Sequence, residues 1–220
     1  MAKAIRLIIL LAIAAVLAIV LIMTRYADPT GSLIRQAQTG SAEERLAAAQ
    51  ALAKQADSPR AAEALGHLVQ DEDVRVAVAA VEGLAQAKDE SALAHLTAAA
   101  EDGRHQVRQA AVLALGRSGG GTRTDVSLAH LAKVDAAPEV RAAAIRALGE
   151  RNARDRMGEI IDALDDPAAD VRREAAAVIR RLWKPAFAFQ AEDAADKRQK
   201  IVAAIRSEWE AAHQPNREPR

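Results

Sequence analysis

A block of apolar and small residues recurs about every 31 to 33 residues between Ser32 and Gln190. Four copies of the block occupy residues 44–52, 107–116, 140–149 and 171–179. The copies at residues 107–116 and 140–149, VRQAAVLALG and VRAAAIRALG, align without a gap. A period of this length indicates repeated supersecondary units, each of which needs its neighbours to bury its apolar surface.

Each block has the pattern of a helix that is buried on several sides. Counted from an arginine that all four copies share (Arg45, Arg108, Arg141 and Arg172), positions −1, +2, +3, +4, +6 and +7 are almost all Ala, Val, Leu or Ile. At about 100° per residue these positions cover more than half of the helix circumference. We therefore predict that each block is the second helix of a hairpin. Gly116 and Gly149, near the ends of two blocks, predict helix C-caps. The first helices are predicted at about residues 61–69, 91–99, 126–134 and 157–164.

The predicted fold is an all-α, right-handed solenoid of about five helical hairpins over residues 32–190. A capping helix is predicted over residues 191–213, with Ile201, Val202, Ile205 and Trp209 on one side. Four of the five aromatic residues lie in this last part of the chain and are expected to close the stack: Trp183, Phe187, Phe189 and Trp209. Residues 214–220 are polar and are predicted to form a disordered tail.

The amino terminus has a different pattern, because the 17 residues from Leu7 to Met23 contain no polar side chain. As a helix rising about 1.5 Å per residue, this run covers about 26 Å, close to the roughly 30 Å of a bilayer's hydrocarbon core. We predict a transmembrane anchor at residues 1–26 and a linker at residues 27–31. A cleaved signal peptide is the alternative, although its apolar run is usually shorter.

The charges that flank this run predict its orientation. Lys3 and Arg6 precede it, whereas the acidic and basic residues that follow it nearly cancel. The excess of positive charge on cytoplasmic flanks then predicts a single-pass membrane protein with a cytoplasmic N-terminus. The solenoid is expected to be extracytoplasmic (periplasmic).

Composition narrows the functional classes. The chain has 2% aromatic residues, too few for the stacking platforms of single-stranded nucleic-acid binders. Thirty basic residues balance thirty acidic ones, so no overall field attracts nucleic acid. The chain has no cysteine, which removes thiol nucleophiles and cysteine-based zinc sites. We predict no nucleic-acid partner and no cofactor.

An aspartate stands six residues before the shared arginine in three copies, giving the pairs Asp102 and Arg108, Asp135 and Arg141, and Asp166 and Arg172. With the Ala-Ala and Ala-Leu-Gly residues that follow, this pattern resembles the HEAT repeat, including its bilin-lyase-like bacterial branch. The resemblance implies that these aspartates and arginines form a structural ladder of side-chain hydrogen bonds between successive hairpins.

The ladder pattern is interrupted in the first two repeats. Ala77 occupies the arginine position of the second repeat, and Thr39 occupies the aspartate position of the first. We therefore expect Asp71 to lack its usual partner.

Candidate chemistry outside the ladder is sparse. His67, His95 and His130 each lie in a Leu-x-His-Leu context on successive first helices. Stacked helices lie about 8 to 10 Å apart, whereas zinc–nitrogen bonds are roughly 2 Å long, so we predict no metal site. The sequence contains no Gly-x-Ser-x-Gly motif and no phosphate-binding glycine loop. A lyase or chaperone-like activity, as in the bilin-lyase-like branch, is the alternative to a non-enzymatic role.

The remaining candidate surface is the outward side of the second helices, at positions +1, +5 and +9 from the ladder arginine. A solvated surface without function is one interpretation of these positions. Two observations argue against this interpretation: several of the outward positions hold apolar residues, and basic residues become more frequent there toward the carboxyl end. We predict a scaffold or assembly factor that binds a protein partner, a membrane-complex subunit or peptide, on this concave face. The predicted partner-binding residues are Leu113, Arg117, Arg146, Arg173 and Arg181, called here the outward stripe.

Overall fold

The computed structural model describes residues 13, 15–18, 28–87, 90–183 and 188–213. Over these residues the chain is all-helical, without a strand. Between residues 28 and 213 the structure describes eleven α-helices, numbered here α1 Pro29–Thr39, α2 Ala42–Ala53, α3 Pro59–Leu68, α4 Val74–Leu84, α5 Glu90–Ala99, α6 His105–Arg117, α7 Gly121–Val134, α8 Pro138–Glu150, α9 Met157–Asp162, α10 Ala169–Leu182 and α11 Ala195–His213. Short 3₁₀ turns, Arg154–Arg156 and Ala163–Asp165, flank α9.

The helices form five successive hairpins, α1–α2 to α9–α10, and α11 packs on the end of the stack. The second helices pack against one another at every step, and more closely than the first helices do. Because the shorter path lies on the inner side of a curved stack, the second helices line its concave side.

Local sequence signals set the helix starts. Ser41 and Glu44 form a capping box at α2, which satisfies two backbone N–H groups that a helix start leaves free. Proline occupies the first turn of α1, α3 and α8, where its missing N–H costs nothing. The start of α1 lies inside the predicted linker 27–31, because Pro29 fixes the first turn and Asp28 caps it by accepting from the Gly31 N–H at 2.8 Å.

The core is a continuous layer of Ala, Leu, Val and Ile between the two rows of helices. The prediction of C-caps at two glycines was wrong, since Gly116 and Gly149 are buried inside α6 and α8. A Cβ on Gly116 would meet Ala147 Cβ at 2.8 Å, and one on Gly149 would meet Val178. Both glycines therefore permit close approach of consecutive second helices.

The C-terminal helix α11 is held to the last hairpin by charged and aromatic contacts. Arg198 lies 3.3 Å from Asp165, and Arg206 pairs with Asp162. The rings of Trp183 and Trp209 meet edge to face with centroids 5.2 Å apart. These contacts cover one side of the terminal hairpin.

Part of the predicted organisation lies outside the described residues. This holds for most of the anchor 1–26, for residues 184–187 with Phe187, and for the tail 214–220. Within the described residues, no helix is both long enough and apolar enough to cross a membrane.

Candidate functional site

Each intact rung of the ladder joins an arginine of one repeat to the aspartate of the next. The Arg108 guanidinium donates from Nε and Nη2 to the two carboxylate oxygens of Asp135, both at 2.8 Å. Arg141 binds Asp166 in the same way, at 2.8 and 2.7 Å. The Nη1 atoms of Arg108 and Arg141 donate to the backbone carbonyls of Asp102 and Asp135 in their own repeats. Each guanidinium therefore ties the entry loop of its own hairpin to that of the next.

The same direction of pairing corrects the expectation for Asp71. Asp71 does have a partner, because Arg45 of the first repeat donates to both of its oxygens at 2.6 and 2.9 Å. The missing arginine at position 77 instead deprives the following aspartate, Asp102, of its rung.

Arg104 takes the place of that missing rung. Its Nε and Nη2 atoms bind Asp102 at 2.9 Å, only two residues earlier in the chain. Its Nη1 and Nη2 atoms also reach back to the carbonyls of Asp71 and Val69 in the second repeat. The second and third repeats are thus linked through backbone oxygens rather than through a side-chain pair.

The last ladder arginine meets the end of the stack. Arg172 is buried, and no further repeat follows to supply a ladder aspartate for it. Its Nε instead donates to the Ala191 carbonyl at 2.6 Å. Its Nη1 donates to the carbonyls of Asp166 and Pro167. Arg172 therefore fixes the segment that leads into α11.

Protonation equilibria follow these contacts. The hydrogen bonds from Arg45 and Arg104 hold the pKa values of Asp71 and Asp102, respectively, below the ordinary value of an aspartate. Burial opposes ionisation of Asp135, but the hydrogen bonds from Arg108 and the Ala137 N–H keep its pKa lowered as well. The carboxylates of Asp71, Asp102 and Asp135 are thus stabilised as anions.

The outward stripe is less cationic than the sequence suggests. Arg146 forms an ion pair with Glu174 at 2.9 Å, and Arg173 pairs with both Asp170 and Glu192. Both guanidinium groups are therefore already paired, and the predicted role of Arg146 and Arg173 in partner binding stays a prediction. Asp170 lies three residues before Arg173 on the same helix, so the sequence of that helix alone could have indicated this pair. Glu174 and Glu192 lie on the next helix and in the segment before α11, and the helix pattern of a single repeat does not reveal them.

The other members of the stripe remain available. Arg117 and Arg181 are exposed, and neither forms an ion pair with any residue that the structure describes. Arg181 leans over the preceding helix, since its Nη2 atom would collide with a Cβ on Gly149. Leu113 is half-buried against the core. The concave surface therefore offers two unpaired guanidinium groups around a partly apolar strip.

Arg151, which the sequence pattern does not single out, organises a loop. Its guanidinium pairs with Asp125 and donates to the carbonyls of Leu115, Ser118, Gly119 and Gly121. The glycine-rich loop before α7 is therefore held by the end of α8. No sequence pattern links a residue to a loop about 30 positions earlier.

The three histidines do not form a common centre. His95 packs its ring over Gly66, while His67 and His130 line separate clefts on the first-helix side. In the described part of the chain, no three His, Asp or Glu side chains are arranged to hold a metal ion.

Comparisons with known proteins agree with this architecture. A family model described as HEAT repeats matches residues 13–120. A comparison with curated protein sequences finds no significant match. Among solved structures, the chain is similar to the complex of CpcE and CpcF of phycocyanin lyase from Nostoc sp., with a TM-score of 0.56 and 22% identity. That match covers 72% of this chain and 66% of the other, so the chain spans just under two thirds of the length of that protein.

Two further structures are similar over most of their length. A designed armadillo repeat protein in complex with the peptide (KR)4 gives a TM-score of 0.52 at 17% identity, with 86% of this chain and 94% of that chain covered. The MAST/Orbit N-terminal domain gives 0.54 at 15% identity, with coverages of 82% and 96%. At such identities the similarity shows the fold alone. The described part of the chain is an all-helical solenoid of the HEAT/armadillo type.

Proposed function

We propose that the chain is a non-enzymatic scaffold that binds a segment of a partner protein along the concave face of its second helices. The observation that carries this proposal is the position of Arg117 and Arg181. Both occupy the +9 position of a second helix, both are exposed, and both lack an ion pair within the described residues. A guanidinium group held on a packed helix without a partner is well placed to bind a carboxylate.

The apolar part of the face supports binding rather than simple solvation. Leu46, Val78 and Leu113 recur on α2, α4 and α6, each packed against the core and still partly exposed. Side chains of this kind bury further surface when a ligand covers them, at no cost in flexibility, because the core already fixes them.

The spacing of the two arginines limits the shape of the partner. They lie two second helices apart, which corresponds to about 20 Å at the usual interaxial distance of up to about 10 Å. An extended segment covers this distance with about six residues and a helix with about thirteen. We propose that the partner segment carries acidic residues at one of these spacings, with apolar residues between them.

Because Arg146 and Arg173 form ion pairs, the concave face carries separate positive charges rather than a continuous basic groove. Those arginines carry carboxylates of their own, so a uniformly acidic polymer meets charges that are already compensated. Glu150, between Arg117 and Arg181 along the +9 row, adds a negative charge. The face therefore favours an amphipathic segment with separated acidic residues.

The apolar run from Leu7 to Met23 supports a further part of the proposal, that the scaffold is anchored to a membrane and holds its partner there. Thirteen of its residues are large aliphatics. Each contributes favourably to insertion, by about −0.3 to −0.6 kcal/mol at a helix centre. A partner in a membrane complex is consistent with such an anchor.

Site-specific photocrosslinking in the native cell tests the proposed face. A photoreactive residue at Ala177, exposed on α10, should crosslink to a distinct partner, which mass spectrometry then identifies. The same residue at Ala203, exposed on α11, is the matched control and should not give that product. Equal crosslinking at both positions would contradict the proposal.

A further inference from the structure

One pair of neighbouring first helices is splayed apart. The first helices α1 and α3, α3 and α5, and α7 and α9 pack directly, whereas α5 and α7 hardly touch. Two adjoining clefts of about 600 and 620 Å³ lie between them. Arg117 of the outward stripe lines a third cleft, which adjoins the first of these at Leu93 and Gly120. We call this space the α5–α7 groove, lined by Leu93, Thr97 and Glu101 on one side and by Arg123, Val126 and His130 on the other.

The groove leaves apolar side chains in water. Val126 and Val134 are 50% and 54% exposed. Between residues 28 and 213, no other large apolar side chain that the structure describes is exposed. They lie eight residues apart on α7, with His130 between them, so the three share one face of the helix. Leu115, almost fully buried, lies at the bottom of both clefts.

The two rims of the groove carry opposite charge. Glu90 and Glu101 stand at the two ends of α5, and both are exposed. Arg123, exposed in the first turn of α7, forms no ion pair among the described residues. An acidic rim thus faces a basic residue across an apolar floor.

The opening is fixed in place rather than loosely held. Arg151, with 10% of its side chain exposed, binds Asp125 of α7 and four carbonyls of the preceding loop and helix end. The start of α7 is therefore tied to α8 and not to α5. A preformed groove loses little conformational freedom when it is filled.

We propose that the α5–α7 groove binds an amphipathic α-helix of a partner protein, distinct from the segment on the concave face. Amphipathic helices lay their apolar face into hydrophobic grooves, and the two exposed valines, eight residues apart on α7, offer such a face an extended apolar strip. Its apolar face covers Val126 and Val134. Its flanks carry opposite charges, basic toward Glu90 and Glu101 and acidic toward Arg123.

Three synthetic helical peptides with the same leucine stripe test this proposal against the full chain by fluorescence anisotropy. One carries lysines on one flank and glutamates on the other, one carries lysines on both, and one carries glutamates on both. The mixed peptide should bind most tightly. If either uniform peptide binds as well as the mixed one, or if none binds, the proposal is overturned.

Two variants locate the binding. Val126→Asp combined with Val134→Asp should weaken binding of the mixed peptide by about tenfold or more, whereas Ala203→Asp on α11 should leave its affinity unchanged. Because the replaced valines are exposed, the helical circular dichroism should be retained. Equal affinity of both variants for the mixed peptide would place its binding elsewhere on the chain.

A charge reversal should strengthen binding of one peptide and weaken binding of another. Arg123→Glu makes both rims acidic, so the preference should switch from the mixed peptide to the lysine-flanked one. Lys133→Glu is the matched control, because Lys133 is also exposed on α7 but lines a small cavity toward α9. An unchanged preference in Arg123→Glu, or the same switch in Lys133→Glu, would overturn the charge assignment.

Discussion

Arg104 binds the carboxylate of Asp102 two residues before it and thereby fills the place of a ladder arginine that the second repeat lacks. From this position it also donates to the carbonyls of Asp71 and Val69. The gap in the ladder is therefore closed from the following repeat, and the stack remains continuous across it.

The first prediction concerns this substitute rung. Arg104→Ala should lower the free energy of unfolding by about 1–3 kcal/mol, because it leaves a partly buried carboxylate and two carbonyls without their donor. Arg104→Lys should lose less, since it keeps one charge-assisted hydrogen bond. Urea unfolding followed by circular dichroism measures both.

The matched control is Arg75→Ala. Arg75 also binds an aspartate two residues before it, Asp73, and it pairs with Glu43 of the first repeat at 2.9 Å. Both Arg75 and Glu43 are mostly exposed, and among the described residues no carbonyl of another repeat accepts a hydrogen bond from Arg75. Arg75→Ala should lower the free energy of unfolding distinctly less than Arg104→Ala does. Equal costs would show that the partly buried hydrogen bonds of Arg104 to the carbonyls of the second repeat stabilise the stack no more than an exposed ion pair does.

The second prediction concerns the glycine-rich loop before α7. Arg151→Ala should cost about 1–3 kcal/mol and should speed amide hydrogen exchange in residues 118–122, because the carbonyls of this loop lose their shared donor. Arg154→Ala, an exposed arginine nearby, should change neither quantity. Unaltered exchange in Arg151→Ala would show that other contacts hold the loop.

The third prediction is an acid dependence of stability. The pKa values of Asp71, Asp102 and Asp135 are lowered in the folded chain. Their contribution is therefore present above the unfolded value of about 3.9 and is lost as the pH falls through the folded values. Unfolding free energies measured from pH 7 to pH 3 should decline most steeply below about pH 4.

Asparagine substitution separates the ladder from the general effect of acid. Asp102→Asn should flatten this decline, because one titrating group with a lowered pKa is removed. Asp57→Asn, at an exposed position outside the ladder, should leave the slope as it is. A steeper decline in Asp102→Asn would be incompatible with the assignment.

The repeat architecture could be predicted from sequence because its signals are local and periodic. Register, hairpin number and the aspartate and arginine positions follow from residues that recur within one repeat. Arg45, however, binds Asp71 of the following repeat, and no spacing within one repeat gives this direction of pairing. The partner of Asp71 was missed for that reason.

The remaining errors depend on contacts between repeats. The sequence predicts a C-cap at Gly149, but this glycine is needed where α8 meets Val178 of α10. The helix pattern places Arg146 on the outward side, but it does not show that Glu174 of the next helix pairs with it. The wheel positions of one helix identify an outward side chain and leave open which neighbour it meets.

The fourth prediction concerns the amino terminus. A reporter fused after Arg220 should be active only if it is a type that works outside the cytoplasm, because Lys3 and Arg6 favour a cytoplasmic N-terminus. Mass spectrometry of the membrane-bound protein should find Met1 or Ala2 at its start. A mature chain that begins near Asp28 would instead indicate a cleaved signal peptide.

The most direct test of the proposed scaffold is the charge reversal of its two unpaired arginines. Arg117→Glu combined with Arg181→Glu should abolish recovery of the partner that crosslinks at Ala177, with little change in helical circular dichroism or melting temperature. Arg146 is left unchanged in this test, because its reversal would also break its ion pair with Glu174. Lys133→Glu combined with Lys200→Glu changes the net charge equally away from the concave face and should leave recovery intact. If both double variants reduce recovery equally, the attraction is non-specific charge and the concave face is not the binding site.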